Sequence, residues 1–440
     1  MRSFPHTRLW ASVPGEPRPR GRAHRRPLRE PPAVAKPTAR RRPRAADAAR
    51  KRQTGDDMST ILAPHSGAAP TLPLIDSDHR RRGWRGWRGW RGRLIAKAAM
   101  QILRPVEPRV QHGLPAPTTF PLNGGARRFG LVHYGIMIPD LPAPHRFMAT
   151  AIILGSAGMR VFDADFAAAP GDGPLQTATL VHGTAAAVDR HFTRYSIPRD
   201  VESRADGSLL RLGDDLELSG RYPEFRLESR RGGFAVDLTL TATGDVTWFA
   251  KGLFYEHIAL VTRYRGTIEH GGATTEVAGL CTYEYARGTS PYLLRNRFLP
   301  QAAKLPWDVF SYQVIDLDTD TQLLLAHVQV DQYPALTSAY LRVIGQRAHR
   351  LDADVHFRVT STQARPAVGP DGHAMWLPET FAWRVRDRRG RTLFAIDATV
   401  DTPMLFGIGT GYVGGYRWEG ERDGRPASGR GYIEYVDRRR

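Results

Sequence analysis

Ala278-Gly279-Leu280-Cys281-Thr282-Tyr283-Glu284-Tyr285 and Gly429-Arg430-Gly431-Tyr432-Ile433-Glu434-Tyr435 end the two halves of the chain in the same manner. Each follows a glycine-punctuated turn and sets aromatic residues around one carboxylate. In an extended strand, alternation sends Thr282, Glu284 and Ala286 to one face and Tyr283, Tyr285 and Arg287 to the other. The parallel suggests a duplicated β unit.

Outward from these endings the same style continues in both directions. Short apolar or alternating runs recur, many of them roughly 8–12 residues apart. The first half offers Phe129–Ile138, Phe147–Leu154, Phe234–Leu240 and Ile258–Tyr264; the second offers Trp307–Leu317, Gln322–Val330, Val355–Thr360 and Phe381–Val385. Turn signals such as Arg231-Gly232-Gly233 and Gly369-Pro370-Asp371-Gly372 separate them. Helical periodicity is confined to one or two short stretches. The reading is an all-β body of antiparallel strands, and two tandem barrels fit its length. Their expected extents are 120–295 and 300–437, with the joint near Ser290–Pro306, where Pro291, Pro300 and Pro306 break the pattern.

Composition narrows the function classes. The 440 residues are 41% hydrophobic and 24% charged, enough apolar material for a sizeable core. The net charge of +19 is uneven: residues 1–100 hold 24 basic and 7 acidic side chains, leaving 39 and 37 for the rest. A nearly neutral body argues against extended phosphate contacts, so no sequence-specific nucleic-acid partner is expected. The single cysteine, Cys281, excludes an internal disulfide framework and a multi-thiolate zinc site. No run of about 18 apolar residues is present to form a spanning helix.

Residues 1–92 read as an Arg/Pro-rich tail unable to bury enough surface to order itself, and Met58 offers an alternative start. Within it, Gly-Trp-Arg repeats place Trp84, Trp87 and Trp90 beside arginines, and a short helix and linker follow over 93–119. Residues 80–104 would suit an anionic membrane surface; a plain linker with a docking helix fits equally. No secretory signal is legible, and the expected location is cytoplasmic, with peripheral membrane contact as an option.

Two motif matches are decoys. Gly409-Thr410-Gly411-Tyr412-Val413-Gly414 has the dinucleotide-fingerprint spacing, yet a hairpin pattern follows where a helix is required. Asp316-Leu317-Asp318-Thr319-Asp320 starts like a calcium loop but has Thr321 at the glycine position. The histidines are scattered, so neither a metal nor any cofactor is expected.

Tyr416-Arg417-Trp418-Glu419-Gly420, Gly424 and Gly429-Arg430-Gly431-Tyr432-Ile433-Glu434 together resemble the closing signature of the carotenoid 1,2-hydratase (hydroxyneurosporene synthase) family and its lipocalin-like relatives. Tyr264-Arg265-Gly266-Thr267-Ile268, Gly271-Gly272, Glu276-Val277-Ala278-Gly279, Tyr283-Glu284 and Gly288 are similar to that family's first-barrel end. The resemblance implies two tandem lipocalin-like barrels around an apolar cavity for an isoprenoid or similar lipid. It also implies an acid that protonates an alkene. Glu284 falls where that family carries an Asp, and so is the candidate catalytic residue. Tyr283, Tyr285, Tyr416, Trp418 and Tyr432 are the candidate ligand-binding aromatics. The substitution of Glu for Asp and the nearby Arg287, which would keep a carboxyl ionised, stand against an acid role. Trp418 and Tyr432 could instead be core aromatics of the hairpin, and Glu419 and Glu434 could simply pair with Arg417 or Arg430 across it. Two functions remain open: a hydratase, isomerase or cyclase acting on an alkene, and a non-catalytic carrier of a hydrophobic ligand.

Overall fold

Alternating burial is clearest in the strand Glu224–Arg231, whose residues are buried and exposed in turn, as half-covered β structure requires. Met148–Gly155 and Thr177–Thr184 are instead buried at every position, the mark of strands covered on both faces. The computed structural model describes residues 114–439, apart from 123–127, 331–332, 347 and 352. The Arg/Pro-rich stretch, Met58, the Gly-Trp-Arg repeats and the short helix expected near 94–103 lie outside the described residues.

Two antiparallel sheets make up the body, as an all-β reading requires. The first holds β1 (Leu131–Ile138), β2 (Met148–Gly155), β3 (Thr177–Thr184), β4 (Phe192–Ser196), β5 (Val201–Ser203), β6 (Leu209–Leu212), β7 (Leu216–Arg221), β8 (Glu224–Arg231), β9 (Phe234–Lys251), β10 (Tyr255–His270) and β11 (Ala273–Gly288). Its spatial order is 4-3-2-1-11-10-9-8-7-6-5. The edge strands β4 and β5 are joined by the single helical turn Ile197–Asp200, which brings the sheet round on itself.

The second half of the body supplies β12 (Trp307–Asp316), β13 (Thr321–Val330), β14 (Tyr333–Val343), β15 (His349–Arg350), β16 (Ala353–Thr362), β17 (Ala367–Val368), β18 (Ala374–Met375), β19 (Pro378–Asp387), β20 (Thr392–Val400), β21 (Leu405–Ile408), β22 (Gly411–Arg422) and β23 (Arg425–Asp437), all but β17 and β18 in one sheet. The order 15-14-13-12-23-22-20-19-16 curls until β14 passes beside β16; β21 pairs β22, and β17–β18 form a separate small ribbon. The glycines with fingerprint spacing therefore enter a strand: Gly409 and Gly411 precede and begin β22, with no helix after them among the described residues.

The last strand of each sheet pairs with its first, β11 with β1 and β23 with β12. The glycines of the two closing hairpins take aromatic rings across the strand. Tyr264 lies over Gly279, Trp418 over Gly429 and Tyr416 over Gly431. A Cβ on Gly431 would come within 2.4 Å of the Tyr416 ring.

Two cores result. One is enclosed by the first sheet and contains Val132, Tyr134, Ile152, Leu227 and Tyr283. The other joins the inside of the second sheet to the opposite face of the first, where Leu131, Met137, Ala151 and Ile153 pack with Tyr312, Tyr432 and Val436. The fully buried strands β2 and β3 are thus explained: one side faces their own barrel, the other faces the second sheet.

Candidate functional site

Glu284 stands on β11 with β1 on one side and β10 on the other. Its Cα partners are Gly135 and Ala259, both small. The next row on the same face is His133, Ala286 and His257. Antiparallel register therefore sets one carboxylate between two imidazoles, with room around it. Gly135 is needed for this, because a Cβ there would reach 2.6 Å from Met137 Cε and 3.0 Å from His133 Nε2.

Glu284 is 2% exposed. His257 Nε2 lies 3.3 Å from its Oε1, close but not aligned as a hydrogen bond, and His133 Nε2 lies 3.8 Å from its Oε2. His133 Nδ1 is 3.0 Å from the Ile152 carbonyl, which can only accept, so that nitrogen carries a proton. His257 Nδ1 is 3.1 Å from the Tyr255 hydroxyl. Burial alone would raise the Glu284 carboxyl. His257 and then His133 outweigh it and hold the group at about 2.

Glu434, also 2% exposed, comes from β23 and faces the same space. Its Cα partner on β12 is Tyr312, whose ring approaches those of Phe249 and His257 on the first sheet. The Tyr432 hydroxyl donates to Glu434 Oε1 at 3.1 Å. Burial pushes this carboxyl well above the ordinary range, the charge of Glu284 pushes it further, and the Tyr432 hydroxyl offsets only part. The two environments push the carboxyls in opposite directions, Glu434 towards the protonated form and Glu284 towards the ionised one.

Both carboxyls line a cavity of ≈ 180 Å³ between the two sheets. Its walls are otherwise mainly apolar, from Leu131, Ile153, Met159, Phe162, Trp307 and Phe310. That volume is on the order of the ~150 Å³ cavity that accepts a benzene, which is room for one ring or one short branched unit.

The sequence-derived aromatics sit elsewhere. Tyr283 and Tyr285 occupy the core within the first sheet, Tyr283 stacked on Phe225 at 4.4 Å and Tyr285 donating to the Pro121 carbonyl at 2.7 Å. Tyr416 packs on Phe381 at 4.9 Å, and Trp418 lies two residues along on the same face of β22. Tyr432 touches the site through Glu434. None of the five lines the cavity. Arg287 binds Glu256 at 2.6 Å and lies over the Phe129 ring, so it does not neutralise Glu284. Arg430 binds Asp401 at 2.7 Å, which leaves Glu434 without the cross-hairpin ion pair considered from sequence. His133 and His257 were not singled out in the sequence, and Glu434 was read only as part of a hairpin.

The family described as one of unknown function, DUF6670, matches residues 151–440. The chain belongs to this family. The DUF6670 match includes His257, Glu284 and Glu434, while His133 lies just before it. No curated protein matches the DUF6670 chain by sequence. Among solved structures, an AttH-like protein (NE1406) from Nitrosomonas europaea is similar over 77% of this chain and 100% of its own, with TM-score 0.50 and 14% identity. Kievitone hydratase from Nectria haematococca aligns over 75% and 98%, with TM-score 0.45 and 12% identity. CghA with Sch210972 aligns over 76% and 97%, with TM-score 0.35 and 8% identity. The likeness to the AttH-like protein concerns the all-β fold alone and does not bear on the chemistry of the DUF6670 chain. The family shown is DUF6670.

Proposed function

We propose that this protein is an acid–base catalyst, of the hydratase, isomerase or cyclase type, acting on a carbon–carbon double bond of a hydrophobic small molecule. The observation that carries the reading is the pair of buried carboxyls facing one apolar cavity, with environments that drive their protonation apart. Glu434, rather than Glu284, is the proton donor. Its proton goes to one alkene carbon and leaves a cation at the other, beside the Glu284 carboxylate. Glu284 then takes a proton, either from the neighbouring carbon, which moves the double bond, or from a water that adds to the cation. In both cases one proton has passed from Glu434 to Glu284, and exchange through His133 and His257 resets the pair. A carrier of the same ligand has no use for this arrangement, since burying charged groups carries a desolvation penalty that a wholly apolar lining avoids.

The test is to extract the small molecule that copurifies with the protein and return it to fresh protein in heavy water. Gain or loss of one water, or deuterium at carbon, is expected with the parent chain and is lost in Glu434→Gln. A ligand that returns unchanged, or a fully active Glu434→Gln, overturns the reading.

A further inference from the structure

The cavity opens where the molecule exposes its largest apolar side chains. Phe254 and Leu305 both line the cavity, yet they are 57% and 41% exposed. Beside Phe254, Leu253 is 64% exposed at the tip joining β9 to β10. The Phe254 carbonyl accepts from Thr289 N, which ties that tip to the end of β11. Three residues beyond Pro291, another lining residue, Leu294 is 94% exposed. Four large exposed apolar side chains thus belong to the segments that line the cavity, two of them on its wall and two within three residues of it in sequence, where single exposed ones would need no explanation.

These side chains are held outward. The short turn Pro291–Leu293 is capped by Ser290, whose hydroxyl accepts from Tyr292 N at 3.2 Å. Asn296 Oδ1 accepts from Leu175 N, and its amide donates to Gln176, both at 3.1 Å. Leu294 lies between these two anchors.

The two loops themselves carry charge of one sign, and the acids beside them, Asp165, Asp308 and Glu256, are each paired with a base. The stretches 246–255 and 291–305 contain no Asp or Glu. They present Lys251, Arg295 and Arg297 as exposed cations, and no carboxylate pairs with these among the described residues. The nearest acid by register, Glu256 opposite Lys251, is occupied by Arg287 at 2.6 Å and Arg128 at 3.7 Å. Lys251 lies over the Trp248 ring at 4.5 Å; outward aliphatic and aromatic side chains flanked by cations that no carboxylate holds match the interfacial zone of an anionic bilayer, where apolar groups enter the acyl boundary and cations meet phosphate.

We infer that the face formed by the 251–254 tip, the 293–297 turn and Leu305 docks on an anionic lipid surface and opens the cavity to molecules dissolved in it. The inference rests on the cavity taking a hydrophobic ligand and is independent of which carboxyl moves the proton.

The test uses the full chain with Leu294→Cys in a Cys281→Ser background, labelled with an environment-sensitive fluorophore, and a matching label at Arg389→Cys. Both are mixed with vesicles of phosphatidylglycerol and phosphatidylcholine. The Leu294 label is expected to shift to the blue and lose quenching by iodide, while the Arg389 label stays in water. High salt or pure phosphatidylcholine should weaken the effect, because screening removes the attraction of the cations. If the protein ignores vesicles, or sediments with them while the Leu294 label stays quenchable, the inference fails. Protection of that label without vesicles, together with doubled mass, would assign the face to a second copy and also overturn it. None of these readouts depends on turnover, so failure of the catalytic reading would leave them unchanged.

Discussion

Glu284 and Glu434 hold equivalent places in the closing strands of the two sheets, and both point into the space between them. Beside Glu284 the register brings Gly135, Ala259 and two histidines; beside Glu434 it brings Tyr312. Identical side chains in equivalent positions are thus pushed towards opposite protonation states. The difference comes from neighbouring strands, not from the hairpins that carry the acids.

Acid titration should report Glu284 directly. Its carboxyl is held at about 2, below the ordinary 4.5, so its stabilising contribution is complete above about pH 4.5 and is lost as pH falls towards the folded-state value. Glu284→Gln should remove that slope from urea midpoints taken through this window. At neutral pH it should also lower stability, because the amide carries no negative charge to set beside the two imidazoles.

Glu434 has the opposite sign. Its carboxyl is raised on folding, so keeping it buried costs stability as pH rises above the ordinary carboxylate range. Glu434→Gln should be at least as stable as the parent at pH 7, and less dependent on pH above about 5. A large loss of stability in this variant, seen in the same melts, would mean that Glu434 is ionised and paired.

Much of the fold could be read from the chain because strand alternation and Gly/Asp turns are local signals. The runs at Phe234–Leu240 and Val355–Thr360 lie within β9 and β16. The closing signature was legible for a packing reason: Gly279, Gly429 and Gly431 are the spaces beneath Tyr264, Trp418 and Tyr416. Reading those aromatics as a ligand box followed from the same motif, yet Tyr416 and Trp418 lie over their own sheet and Tyr283 and Tyr285 fill the first core. His133 and His257 are far apart in sequence, and only the pairing of both neighbours with β11 unites them, a long-range register that no local window contains. Their one local sign was a histidine set within an apolar or aromatic run, as in Leu131-Val132-His133-Tyr134.

Gly431→Ala should destabilise the second sheet by about 1–3 kcal/mol, because the added carbon has to displace the buried Tyr416 ring. Chemical denaturation checks this. An unchanged midpoint would show that the ring can move at little cost.

The loop bearing Met159 and Phe162 is pinned by Asp163, which accepts from Ala157 N and Gly158 N at 2.9 Å and from the Tyr292 hydroxyl at 2.7 Å. Asp163→Ala should orphan these donors, cost about 3 kcal/mol or more, and open the loop to trypsin at Arg160. Cleavage patterns of native protein under limited digestion measure the effect.

Cys281 is buried and burial pushes its thiol up, so it should resist thiol reagents in the native state. Full reaction is expected only after unfolding, and the reagent's colour change counts it.

The face of the first sheet that carries Leu131, Met137, Ala151 and Ile153 is completed by strands made later in the chain. During synthesis it waits, bare, until β12 to β23 have left the ribosome. At roughly 5–20 residues per second that interval is about 7–30 s, long enough for a sticky sheet to meet another nascent copy. The half carrying the histidines is therefore the one that a cell must shelter, and a ribosome stalled in the connector would release a fragment destined for aggregation or proteolysis.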